Sequence, residues 1–163
     1  MNLDEADPSF IQDFYQSSLS VGLTAAWFST RGHRAMIPEM EARPSYKVRQ
    51  KYRDGGDLLV RIDGDWEIVE VVHRRDHDFT GARDFRYRSI IVCTDAEKSR
   101  GLPFIFVVYD RDMSHVALVQ PDTEPTWTQE ERKIGGRNQL VWLCPTDQCL
   151  WMPFPLAPGN VLS

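Results

Sequence analysis

Residues 57–74, DLLVRIDGDWEIVEVVHR, constrain the fold of this chain more than any other segment. Two β-branched and aromatic runs flank Asp63-Gly64-Asp65, a turn signal that predicts a β-hairpin. Side chains alternate across a strand, so the returning run puts Trp66, Ile68, Glu70, Val72 and Arg74 on one face. Glu67, Val69, Val71 and His73 take the other. Asp57 stands where the first strand begins, near the end where its partner leaves the hairpin, so Asp57 and Glu70 are expected to lie close together. A carboxylate inside an apolar strand is costly unless something holds its charge. A divalent cation shared with Asp57 would do so. The competing reading is structural: Asp57 follows two glycines and suits a turn, and Glu70 could pair with Arg61 or Arg74.

The remaining sequence supplies elements around this hairpin. Asp7-Pro8 has the form of a helix N-cap followed by proline at the first helical position. Apolar residues from Phe10 to Phe28 recur at helical spacing, and Gly32 is a suitable stop, which predicts a long helix over about residues 8–30. A short strand is expected at about 34–41, then a charged loop over 43–56. After the hairpin, the arginine-rich stretch RRDHDFTGARDFRYR reads as loop and SIIVCT as a short strand. Thr94-Asp95-Ala96-Glu97 has capping-box spacing and predicts a short helix ending near Gly101. PFIFVVYD is the most hydrophobic run and is expected at the centre of the sheet, followed by strands at HVALVQ and QLVWLC. CLWMP is read as closing a C-terminal hairpin, residues 121–138 as a long polar connection, and the proline-rich end as irregular.

The order predicts one α/β (α+β) domain over 1–163, with a mixed central sheet, a core over about 8–110, and extra C-terminal strands over about 111–155. A length of 163 residues and a hydrophobic fraction of 42% suit a single buried core. No apolar run approaches the roughly 20 residues that cross a bilayer, and the acidic N-terminus lacks a signal-peptide layout. A cytoplasmic location is therefore expected. Cys93, Cys144 and Cys149 are an odd number without a CxxC pair, which argues against a disulfide framework or a structural zinc site. The net charge of −5 excludes a uniformly basic nucleic-acid binder. It leaves room for local basic surface: Arg43, Lys47, Arg49, Lys51 and Arg53 precede the hairpin, and Arg74, Arg75, Arg83, Arg86 and Arg88 follow it.

On these residues the chain resembles the PD-(D/E)xK nuclease superfamily. There an aspartate opens the second core strand, and an acid-x-Lys follows on the third, after a hairpin. Asp57 matches the first acid and Glu70 the second. The long first helix and the strand at 34–41 before them, and the short helix and PFIFVVYD after them, are similar to the αβββαβ core of restriction endonucleases and Holliday-junction resolvases. The resemblance spans about residues 8–110. It implies a metal-dependent endonuclease that hydrolyses DNA, with Mg²⁺ or Mn²⁺ on Asp57 and Glu70. Lys47, Lys51, Arg74, Arg75, Arg83, Arg86 and Arg88 would then meet the nucleic-acid backbone. A homodimer is a further expectation, since such enzymes often cut both strands as pairs.

The chain departs from the pattern at Val72, where the family has its lysine. Valine can neither orient an attacking water nor stabilise charge in phosphodiester hydrolysis. Three readings follow. Another cation has taken over, with Arg74, Lys47, Lys51 and Lys98 as candidates and Arg74 assigned the catalytic role. Alternatively, the metal site survives with weak catalysis. Or the fold serves only to bind nucleic acid or a partner protein, as a phage or host regulator would. Elsewhere, His73 and His77 with Asp76 and Asp78 read as a loop near phosphate rather than a zinc site, because HxxxH shares a face only on a helix. Asp110, Asp112 and His115 read as turn residues. Gly135-Gly136 matches no phosphate-binding loop. Phe79, Phe85 and Tyr87, interleaved with arginines, suit either base stacking or burial.

Overall fold

The computed structural model describes residues 8–38, 57–74 and 76–156, with α1 side chains described from Ser18 onward. Helix α1 (Pro8–Thr30) ends as expected at Gly32, whose φ of 85° is the left-handed value that glycine adopts without strain. Strand β1 (Ala35–Met36) follows, then β2 (Leu58–Ile62) and β3 (Asp65–His73). The turn between β2 and β3 has positive φ at Asp63 and Gly64, 50° and 94°, as a two-residue type I′ connection requires. Strand β4 (Ser89–Thr94) leads into the short helix α2 (Asp95–Ser99), closed by a reciprocal Thr94–Glu97 capping box. The remaining strands are β5 (Ile105–Tyr109), β6 (His115–Val119), β7 (Thr128–Ile134), β8 (Arg137–Pro145) and β9 (Leu150–Pro153).

Two sheets result. The larger is mixed, in the order β1-β2-β3-β5-β6-β9, with β3 and β5 parallel and the other pairs antiparallel. The smaller is antiparallel, in the order β4-β8-β7. Helix α1 covers one face of the large sheet: Val21, Trp27 and Phe28 pack with Leu58, Val60, Val69, Val107, Tyr109 and Val116. The small sheet and the 76–88 loop cover the other, where Phe106, Val108, Ala117 and Val119 are buried. β5 is therefore enclosed on both faces, and its five residues are all buried, which accounts for an unbroken apolar run rather than alternation.

Two buried polar groups in this core, Thr24 and Tyr109, satisfy one another. The Thr24 hydroxyl donates to the Ser20 carbonyl at 2.7 Å, so its single proton is committed and the Tyr109 hydroxyl donates to Thr24 Oγ1, also at 2.7 Å. Burial holds the Tyr109 phenol well above its ordinary pKa. Buried Asp110 organises the β5–β6 turn: one oxygen accepts from the Ser114 and His115 amides and the other from the Ser114 hydroxyl. It is the turn residue that its sequence setting suggests.

Two expectations need correction. Residues 121–138 are not an unstructured connection. A 3-10 turn (Pro121–Thr126) leads to β7, which pairs with β8 along its whole length around Gly135-Gly136, both at positive φ. All seven β7 side chains are exposed, so the strand carries no apolar alternation to reveal it. The second correction concerns CLWMP, which does not close a hairpin on β8. A 3-10 turn at Thr146–Gln148 carries the chain from one sheet to the other, and β9 pairs with β6. Beyond it, Phe154 is fully buried against Trp27 and Tyr109. The strand predicted at 34–41 is observed only as Ala35–Met36, and residues 39–56 lie outside the described residues.

Phe154 plugs the end of the core between α1 and β5. Phe154→Ala is expected to destabilise the protein by about 3–5 kcal/mol in urea denaturation, through lost burial plus the cavity left behind. A cost below about 1 kcal/mol would mean that the C-terminal segment is not part of the core.

Candidate functional site

Period-two sorting decides which way β3 presents its chemistry. Val69 and Val71 pack toward α1. Glu70, Val72 and Arg74 therefore turn toward the layer made by the small sheet. The β2–β3 register pairs Leu58 with Val69, so Asp57 falls opposite Glu70, one step beyond the last paired position. Asp57 Oδ2 accepts the Val71 amide at 2.9 Å, which fixes the first acid against the backbone beside the second.

Asp57, Glu70 and Arg74 line one cavity of about 260 Å³, together with Glu97 and Lys98 of α2. Its apolar wall includes Val72, Val92 and Phe106. Glu97 Oε2 is engaged by the Thr94 amide and hydroxyl, at 2.7 and 3.0 Å, so it serves the helix cap. Lys98 Nζ lies 2.6 Å from Glu124 Oε1 and 4.1 Å from the centre of the Trp142 ring. Val72 packs with the apolar cluster of Phe79, Phe85, Ile90, Val108 and Ala117.

Arg74 lines this cavity and is held by two backbone carbonyls. Its amide donates to the Tyr109 carbonyl at 2.8 Å and its Nη2 to the Ile91 carbonyl at 3.0 Å. Nε is buried with no hydrogen-bond partner among the described residues. Burial lowers the pKa of the guanidinium, against the opposing pull of Asp76 and Tyr87.

Among the described residues, no group of three or more His, Cys, Asp or Glu side chains is arranged to hold a metal ion. Two carboxylates at one cavity still suit Mg²⁺, which keeps several waters and is usually bound through one or two carboxylates plus substrate phosphate. They do not make a closed zinc or calcium cage.

Other predicted residues are placed differently. Arg88 lines an adjoining cavity of about 420 Å³ with Arg74, Asp76, His77, Tyr87, Arg132 and Lys133. Arg83 and Arg86 are exposed on the 76–88 loop and line neither cavity. Lys47, Lys51 and Arg75 lie outside the described residues. Phe79 and Phe85 are buried, in edge-on or tilted contact with Trp151, so they anchor the loop, and only Tyr87 keeps an exposed ring. His73 and His77 do not share a site: His73 Nε2 contacts the Arg111 carbonyl at 2.9 Å, while His77 sits beside Asp76 among the rings of Phe79, Phe85 and Tyr87. Sequence reasoning missed Arg132 and Lys133, because they stand on β7. The signal that was available is Gly135-Gly136, two glycines between two runs, which is itself a hairpin mark.

The chain was compared with protein-family models, with curated proteins and with solved structures, and nothing in any of the three matches it.

A separate pair of thiols lies where the chain changes sheets. Cys144 and Cys149 Sγ atoms are 3.8 Å apart. The Cys149 thiol donates to Cys144, which brings the Cys144 pKa down to about 7 with help from Thr123 and Trp127, against burial. Cys149, as the donor and half-buried, is pushed far up. Unfolded thiols titrate at about 8.5. Between about 7 and 8.5 the folded pair has lost one proton and the unfolded pair none, so stability should rise with pH. Above 8.5 the unfolded chain loses two and stability should fall. Ultraviolet thiolate absorbance should show one thiolate formed with a midpoint near pH 7, moved upward by Cys149→Ala. An unchanged midpoint in that variant would refute the pairing.

Proposed function

We propose that this chain is a metal-dependent endonuclease of the PD-(D/E)xK type that hydrolyses DNA phosphodiester bonds. The observation that carries the reading is the pair Asp57 and Glu70, opposite one another across the first hairpin, at a cavity that also receives Arg74 and Lys98. The topology supports it as well. A long helix precedes three antiparallel strands, and a short helix precedes a strand parallel to the third. With β4 set aside, which lies between β3 and α2 and joins the small sheet, this order is compatible with a restriction-endonuclease-like αβββαβ core.

In this reading Asp57 and Glu70 hold Mg²⁺ or Mn²⁺, which when bound supplies Lewis acidity to the scissile phosphate and lowers the pKa of a coordinated water. Asp57 is oriented by the Val71 amide at the cavity lining. Arg74 carries the fixed positive charge toward the phosphate, held by the Ile91 carbonyl so that little reorganisation is needed as charge develops. Lys98 is the second cation of the cavity and must leave Glu124 to act on substrate.

A second reading has a specific observation behind it. Val72 occupies the position of the family's lysine and is packed into an apolar cluster, while Lys98 is held by Glu124. Both favour a nuclease-fold protein that binds nucleic acid or a partner protein without cutting.

The test is Mg²⁺ and Mn²⁺ titration by calorimetry on wild type and Glu70→Ala, with plasmid nicking in the same buffers. The nuclease reading expects metal binding that Glu70→Ala weakens at least tenfold, metal-dependent nicking by wild type, and a loss of about a hundredfold in nicking for Arg74→Ala. Metal binding without nicking would select the second reading. Neither binding nor nicking would remove the metal site altogether.

A further inference from the structure

The two cavities are neighbours in a strict sense: Arg74, Ile91 and Ile134 line both. We propose that they form one continuous groove for an unpaired DNA strand, whose phosphates are held by Arg74, Arg88, Arg132 and Lys133 and whose path leads to Asp57 and Glu70. The chemistry at the end of that path rests on the nuclease reading above; recognition of the strand does not.

Charge is the first support. The cavity without the two acids, the outer one, has among the described residues four cationic side chains against one carboxylate, Asp76. Glu130 engages Nη2 of Arg132 at 3.0 Å, and the remaining guanidinium donors are left for a ligand. Arg74 is the second support. It stands where the cavities meet, and its buried Nε has no partner among the described residues. A guanidinium that lines both cavities places one positive charge along the whole path, where a phosphate is attracted to it.

Size decides which nucleic acid fits. Cavities of about 260 and 420 Å³ are of small-molecule scale. Each takes a nucleotide or so. A duplex, with a major groove alone about 12 Å wide, cannot enter either while both strands stay paired, and a supercoiled plasmid is cut only where a strand is locally unpaired. Proteins that work on nucleic acid in enclosed pockets accept a single strand or take the nucleotide out of the stack. Tyr87 supplies the corresponding platform: it lines the outer cavity, 49% of its surface is exposed, and the Arg86 guanidinium lies 5.7 Å from its ring centre. Stacking on such a ring is tolerant of sequence. The net charge of −5 adds to the argument, because it confines attraction to this lining and opposes bulk binding of duplex.

The experiment is fluorescence anisotropy on the full chain, in chelator so that nothing is cut, with labelled oligothymidylate and a blunt duplex of equal length. The groove predicts at least tenfold tighter binding of the single strand. The Arg132→Ala, Lys133→Ala double variant should weaken that binding at least tenfold and reduce the salt slope by about 2, with an unchanged thermal midpoint because both side chains are exposed on β7. Tyr87→Ala should weaken it at least fivefold. Equal affinity for duplex, or wild-type affinity in the double variant, would overturn the groove. Single-strand preference without metal-dependent cleavage would overturn the nuclease reading and leave the groove standing. Cleavage of plasmid without single-strand preference would do the reverse.

Discussion

Everything in this molecule depends on the parallel pairing of β3 with β5 in the middle of the large sheet. β5 is covered on both faces, and β3 over its second half, by α1 on one side and by the small sheet with its loop on the other. A strand enclosed in this way cannot slip by one residue without exchanging its two faces. That constraint assigns Val69 and Val71 to the helix side and commits Glu70, Val72 and Arg74 to the opposite layer. The placement of the acid follows from the needs of the apolar neighbours, and the hairpin turn at Asp63-Gly64 carries Asp57 to it.

The second sheet gives that face its shape. A two-layer protein, helix on sheet, would leave Glu70 and Arg74 open to water. Here β4 provides Ile91, Val92 and Cys93 as one wall, α2 provides Glu97 and Lys98, and β7 brings Ile134 across the junction of the cavities. Charges at such a site interact through a lower effective dielectric than they would on a free surface. The cost is visible at Arg74, whose guanidinium is desolvated and whose Nε is left without a partner among the described residues.

Much of this was legible in the sequence, for physical reasons that differ by element. Helix α1, the β2–β3 hairpin, β4, the capped α2 and β5 all carry local signals that agree with their environment: periodicity, turn glycine, capping box, apolar run. The proximity of Asp57 and Glu70 followed from period two and hairpin connectivity alone. β7 was not legible from periodicity, because a strand with both faces in solvent has no pattern to show. The pairing of β9 was not legible either, since a short turn after Cys144 gives no sign of which sheet the next strand joins. Phe79 and Phe85 looked equally suited to bases and to a core, and the neighbouring Trp151, brought by β9, decided it. Arg132 and Lys133 were lost along with β7.

The buried pair Phe79 and Phe85 has a consequence for the arginines that alternate with them. The 76–88 loop is polar enough to sample many conformations as a free segment, yet it is pinned at two points by rings driven into the core. Asp84 ties the bend between those pins, accepting from the Thr80 and Gly81 amides at 2.9 Å. Chain entropy that a loose basic arm would surrender each time it met a polyanion has here already been surrendered once, when the protein folded. Whatever anion meets Arg83, Arg86 and Arg88 meets a backbone that is already set, and only side-chain rotamers remain to be ordered.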